Sequence, residues 1–193
     1  MISVSPEVCG LIFDCDGTLA DTMPIHIKAW CDTFAAYGIR PCPKDFIYQC
    51  KGRPVEVIVD TFNRQFNHRL DTIKFAAEKN RKAHRNLARA RAIEPVAEVV
   101  RRFKGRLPMA VASGGIRKNV DLIIQAIGFK DHFETVITSD DDVNPKPSAD
   151  IFLEAARRMQ VEPTACQVFE DGDAGLEAAR KAGMVATDVR VYL

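Results

Sequence analysis

Asp14 and Asp16 stand two residues apart at the end of the apolar run Val8 to Phe13, in the order Asp14-Cys15-Asp16-Gly17-Thr18. On an extended strand end, residues two apart point the same way, so both carboxylates face one side, Cys15 faces the other, and Gly17 lets the backbone turn. Alone, such a pair is also what loop-capping aspartates look like. Three later segments carry complementary chemistry. Ser113-Gly114-Gly115 offers a hydroxyl and two glycines whose amides can approach an anion at a helix N-terminus. Lys146 lies between Pro145 and Pro147, which restrict its backbone. Glu170-Asp171-Gly172-Asp173 supplies hard oxygen donors that suit Mg²⁺ in company with a substrate phosphate.

The elements that must position these groups alternate along the chain. Val8 to Phe13, Met109 to Ala112, Thr135 to Thr138 and Gln167 to Phe169 are short apolar runs expected as strands buried on both faces. Helices are expected over Val96 to Phe103, Ile116 to Ile127, Ala149 to Met159 and Gly175 to Ala182, with Pro95 in the first turn of the earliest. This alternation implies an α/β fold: a three-layer, Rossmann-like parallel sheet whose carboxyl edge gathers the four polar segments.

Roughly 75 residues between the first strand and the helix at Val96 carry almost no strand signal, too many for a loop. Ile27, Trp30, Cys31 and Phe34 recur at helical spacing before Gly38, and Val55 to Phe66 and Ile73 to Arg91 read as further helices. Residues 22–88 are therefore expected as an inserted helical cap, with 1–21 and 89–193 as the core.

Composition excludes several classes. The 193 residues are 47% hydrophobic and 27% charged, which fits a self-folding globular chain and argues against disorder. A formal net charge of +1 gives no general attraction to nucleic acid or anionic membrane. No apolar run reaches the roughly 18 residues of a membrane span, and no secretory pattern opens the chain, so a cytoplasmic protein is expected. The six cysteines form no CxxC pair and are expected as reduced thiols. The basic stretch from Lys79 to Arg91 lacks interleaved aromatics and is read as a solvated helix face. Asp140-Asp141-Asp142 is read as a solvated loop, and His68, His84 and His132 have no ligand spacing.

Taken in order, DCDGT (Asp14 to Thr18), Ser113 in VASGG, Lys146 in NPKPSADIF and the acids of VFEDGDAGLEAARKAGM resemble the four motifs of the haloacid dehalogenase superfamily of phosphotransferases. The insertion after the first motif resembles the helical cap of its β-phosphoglucomutase-like subgroup. The short ending Ala186 to Leu193 is similar to the branch of bacterial fructose-1-phosphate phosphatase-like sugar phosphatases. Two positions depart from common patterns. Gly172 replaces a frequent serine, and Thr18 stands where the mutases usually carry valine, which favours hydrolysis.

The resemblance implies a Mg²⁺-dependent phosphatase of a small phosphorylated metabolite, such as a sugar phosphate. Asp14 would be the nucleophile and Asp16 the general acid and base. Ser113 and Lys146 would hold the phosphoryl oxygens. Asp14, the Asp16 carbonyl, Asp171 and then Glu170 would hold the metal. Gly114, His26, Lys51, Gly52 and Arg53 would meet the substrate, while Trp30 is expected in the cap core. Asp173 is read as an outer acid or a helix cap. A phosphosugar mutase, a phosphorelay receiver and a nucleic-acid module on the basic helix are the competing classes; the receiver would carry its acceptor and acidic pair on different strands.

Overall fold

The computed structural model describes residues 1–50 and 53–193. Five strands, β1 (Gly10–Phe13), β2 (Met109–Ala112), β3 (Thr135–Ile137), β4 (Cys166–Glu170) and β5 (Val185–Asp188), form one sheet in the order β3-β2-β1-β4-β5. Every pairing is parallel. The strand order reverses at β1, so the loops after β1, β2 and β4 splay around one crevice at the carboxyl edge, the place where such sheets bind ligands.

Alternation along β1 explains the three layers. Leu11 and Phe13 pack on one face with Val96, Val99 and Val100 of α5 (Glu94–Phe103) and Val120 and Ile123 of α6 (Arg117–Ala126). Ile12 points the other way, onto Phe152 and Ala155 of α7 (Asp150–Met159) and Ala178 and Ala179 of α8 (Asp173–Lys181). Phe13 and Phe169, opposite each other in register, stack with centroids 4.8 Å apart.

Among the described residues, four helices separate β1 from α5: α1 (Met23–Ala36), α2 (Lys44–Gln49), α3 (Val55–Phe66) and α4 (Thr72–Leu87). They close around a core of their own, in which Phe34 meets Phe62 at 4.8 Å and Phe75 at 4.9 Å. Fully burying an aromatic such as Phe75 contributes about 1.5–3 kcal/mol. Two chain crossings join this unit to the sheet, and they pair with each other: Asp21 N donates to Arg91 O at 2.9 Å, and Ile93 N to Leu19 O at 3.0 Å. Ala20 and Ala92 form an antiparallel bridge between them.

Several expectations need correction. β5 was not expected, because Val185-Ala186-Thr187-Asp188 is a half-exposed edge strand with no apolar run to announce it. The short α2 also escaped the periodicity. Cys31 and Cys42 form a disulfide with Cα atoms 5.0 Å apart, against the expectation of six thiols; the turn after α1 folds Cys42 back beside the helix. Cys9, Cys15, Cys50 and Cys166 are free. Asp141 is no solvated loop acid: it accepts from Thr138 N at 2.9 Å and pairs with Arg158 at 2.8 Å. Asp173 opens α8 as a largely exposed residue paired with Arg190 at 2.9 Å, while Gly172 occupies the cap position. Among the described residues, no helix is long and apolar enough to cross a membrane.

Candidate active site

Lys146 is the centre of the buried chemistry. Its Nζ donates to Asp14 Oδ1 and Glu170 Oε2, both at 2.7 Å, and to Ala112 O at 3.1 Å. One ammonium thus joins the ends of β1, β2 and β4. Burial alone would lower its pKa, but Asp14 and Glu170 outweigh that and raise it above the usual lysine value. Burial, then repulsion from Glu170, pushes the Asp14 carboxyl well above the usual carboxylate range, against the pull of Lys146.

Asp14, Glu170 and Asp171 each place one carboxylate oxygen within 4.8 Å of the others. All three are buried, and Lys146 offsets one of their charges. Two glycines leave the room these acids need. Gly17 has a φ of +91°, and a Cβ there would run into the Asp171 carboxylate; a Cβ on Gly175 would run into that of Glu170. Glu170 Oε1 is held by the amides of Asp171 at 3.0 Å and Gly172 at 2.8 Å, and Thr18 Oγ1 donates to Asp171 Oδ1 at 3.3 Å. Three clustered hard oxygen donors with an excess of negative charge suit a divalent cation. Glu170 is bound at both of its oxygens.

Asp16 faces a different set of partners. Its Oδ1 accepts from Thr22 Oγ1 at 2.6 Å and lies 2.8 Å from His26 Nε2. On the far side of the ring, Lys79 Nζ is 3.0 Å from His26 Nδ1. An ammonium only donates, so Nδ1 accepts, Nε2 carries the ring proton, and that proton points at Asp16. Burial would raise the Asp16 carboxyl, but His26, Thr22 and Lys79 together hold it down at about 2. Lys79 itself is pushed down to about 8 by burial, with Asp16 and Glu56 resisting.

Lys79 corrects the reading of its helix as a solvated face. It is 4% exposed and sits 5.4 Å over the Trp30 ring, on the buried stripe Phe75, Ala76, Lys79, Ala83 and Leu87. That position was the available signal: a cation in the apolar period of α4, opposite a histidine at the start of α1. Trp30 is packed against Phe34 and Phe75 as expected, yet it also borders the site.

The sequence-derived residues converge. Asp14, Asp16, His26, Arg53, Ser113 and Gly114 line one cavity of about 80 Å³ between the helical unit and the sheet edge. Glu56, Asn80 and Asn119 line it too and were not singled out; Asn119 Oδ1 lies 2.9 Å from His84 Nδ1. Among the described residues, Arg53 Nε is buried without a partner. Ser113 Oγ accepts from Gly115 N at 3.0 Å. Cys15 is buried, and burial with the neighbouring Asp16 and Asp14 raises its thiol, so it is no nucleophile. Lys51 and Gly52 lie outside the described residues.

Known proteins share this architecture and much of its sequence. The chain is 38% identical to the fructose-1-phosphate phosphatase YqaB of Escherichia coli over 94% of its length and 96% of that protein. It is 33% identical to protein CbbY of Rhodobacter capsulatus over 92% of its length and 83% of that protein. A β-phosphoglucomutase from Clostridium difficile superposes with a TM-score of 0.83 at 24% identity, covering 94% of this chain and 84% of the other, a likeness of fold. The sequence profile of the haloacid dehalogenase-like hydrolases matches residues 11–189, from β1 to the last turn. Across that span and with all four strand-end segments on one crevice, the chain belongs to the haloacid dehalogenase-like hydrolase family.

Proposed function

We propose that this protein is a Mg²⁺-dependent phosphatase of a small phosphorylated sugar, working through an aspartyl-phosphate on Asp14. The observation that carries the reading is one cavity in which Asp14 and Asp16 stand beside Ser113 and Gly114, above the buried cluster of Asp14, Glu170 and Asp171. The activity named for YqaB supports the substrate class. Residues 22–88 act as the cap, and 1–21 with 89–193 as the catalytic core.

Asp14 and Asp171, with the Asp16 carbonyl and then Glu170, would hold the cation. When bound, it supplies positive charge against the phosphoryl oxygens and the carboxylates. Asp14 attacks phosphorus as the bond to the sugar oxygen breaks. Ser113 and Lys146 hold the phosphoryl oxygens, and Lys146 also lowers the repulsion between Asp14 and the incoming phosphate. The leaving oxygen takes a proton through Asp16, which draws the Nε2 proton of His26 as Lys79 Nζ passes its own proton to Nδ1, so that the ring stays neutral. Asp16 then removes a proton from the water that attacks the aspartyl-phosphate. Arg53 and His26 meet the sugar.

Pockets for ligands of this size run to roughly 300–1,000 Å³, several times the present cavity. The cap therefore opens to admit substrate, turning on the paired crossings at Ala20 and Ala92.

The direct test is a panel of phosphorylated sugars with and without Mg²⁺, scoring free phosphate. Faster formation of glucose 6-phosphate than of free phosphate, from β-glucose 1-phosphate with a trace of the bisphosphate, would overturn hydrolysis in favour of a mutase. Asp171→Ala is expected to raise the Mg²⁺ concentration for half-maximal rate by at least about tenfold. An unchanged Mg²⁺ titration would remove Asp171 from the metal site.

His26→Ala is expected to lower hexose phosphate hydrolysis about 10²-fold, and p-nitrophenyl phosphate hydrolysis far less, because that leaving group needs little protonation. Equal losses on both would refute the relay. In the wild type, hexose phosphate turnover is expected to fall as pH rises through about 8, where Lys79 loses the proton it donates to Nδ1. Lys79→Met should show no such limb, at a lower plateau.

A further inference from the structure

A second concavity lies on the other side of α1 and α4 from the catalytic cavity, and the two share no lining residue. Along α1, Met23, His26 and Trp30 face the catalytic cavity, whereas Pro24, Ile25, Lys28 and Ala29 face the groove. On α4, Lys82 and Arg85 are three residues apart and share one face, and Arg89 follows in the turn just past the end of the helix. The groove encloses about 620 Å³, within the range of pockets for small organic ligands.

Its charge is one-sided. Lys28, Lys82, Arg85, Arg89 and Arg91 line it against Asp21 and Asp32, a formal excess of three positive charges in a chain whose net charge is +1. Lys28 is paired with Asp32 at 2.6 Å, and Lys82 with Glu78 at 2.8 Å. Among the described residues, Arg85, Arg89 and Arg91 have no acidic partner. An ordinary solvated helix face intersperses its charges with partners, as α7 does with Glu154 between Arg157 and Arg158. Three unpaired guanidinium groups from a helix and the adjoining crossing instead leave planar, bidentate donors turned to one space.

We propose that this groove binds a small polyphosphate anion, in the form of a linear chain of phosphoryl groups, free or carried by a nucleoside. Arg85 stands in the last turn of α4, Arg89 in the turn that follows it and Arg91 on the crossing, so a chain of phosphoryl groups serves donors from three successive segments where a single phosphate does not. The excess of three charges matches such an anion. The position gives occupancy a consequence. Arg91 belongs to the crossing whose carbonyl accepts from Asp21 N, and Asp21 lines the same groove. An anion bound to Arg85, Arg89 and Arg91 ties α4 to that crossing, restrains the turning of the cap, and lowers turnover.

Equilibrium titration of the wild type with tripolyphosphate, ATP, adenosine and inorganic phosphate at low salt tests this. The expected result is saturable binding of tripolyphosphate and ATP, with adenosine silent and phosphate at least tenfold weaker; comparison of the first two separates the free from the nucleoside-borne source. Binding should weaken about tenfold or more by 0.3 M salt. Arg85→Ala/Arg89→Ala should fold normally, hydrolyse p-nitrophenyl phosphate at the wild-type rate, and lose at least tenfold in tripolyphosphate affinity. With free Mg²⁺ held constant, tripolyphosphate should lower kcat in the wild type and leave the double variant's unchanged. No saturable binding, equal affinity in the double variant, or tighter binding of a short RNA would overturn the site. Binding with kcat unchanged would overturn its coupling to the cap.

Discussion

Asp14→Asn is expected to reduce turnover of every phosphomonoester by about four orders of magnitude or more, while the protein stays folded. Asparagine keeps the volume of a side chain that is only 5% exposed, and its amide oxygen can still accept from Lys146. What disappears is the atom that bonds to phosphorus. The fold does not suffer, because burial and the charges of Glu170 and Asp171 already work against an ionised Asp14. Without metal, the sign follows. A carboxyl whose folded pKa lies above its unfolded value binds more protons in the native state, so its contribution to stability falls as pH rises through that window. Asp14→Asn removes that loss, and the metal-free variant should melt no lower than the wild type at neutral pH. Rates near wild type, measured with p-nitrophenyl phosphate and a hexose phosphate, would refute Asp14 as nucleophile.

Lys146→Met should be the most destabilising single change at the site. Methionine fills similar length, but it leaves Asp14, Glu170 and Asp171 clustered around an apolar group. Breaking a buried pair by removing one partner costs about 3–5 kcal/mol. In a chain of this length that corresponds to a fall in Tm of roughly 10 °C. Because the cost is uncompensated negative charge, Mg²⁺ should recover part of the Tm while activity stays low. A thermal melt unchanged from wild type, or one insensitive to Mg²⁺, would mean that Lys146 is not the charge that holds the three acids together.

The core of the sheet was legible because parallel strands buried on both faces leave continuous apolar runs, and the polar segment after each run has nowhere to go but the carboxyl edge. Met109 to Ala112 matches β2 residue for residue, and Val55 to Phe66 matches α3. β5 was not legible for the converse reason. An edge strand with one open side can be half polar, and Val185-Ala186-Thr187-Asp188 carries no run. The pairing of Cys31 with Cys42 was equally hidden, since it depends on how the chain returns after α1 and not on any spacing of cysteines.

Residue types and order, with the family resemblance they carry, offered the nucleophile candidate, the serine and lysine proposed to hold the phosphate, and the acids, because each lies at or after the carboxyl end of one of the first four strands and those ends must meet. What only the tertiary structure decided is how their charges are shared. Glu170 faces Lys146 and two backbone amides, and Asp16 is tied to His26 and through it to Lys79, which stands fifty-three residues beyond His26 in the chain. Lys79 has the composition of a surface helix around it. Only the packing of α4 in the completed fold buries it, and burial is what brings its ammonium down to about 8. Local sequence specifies which groups exist and which way a strand or helix turns them. The free energy of a buried charge depends on every group that surrounds it, and those neighbours come from distant segments that only the completed fold brings together.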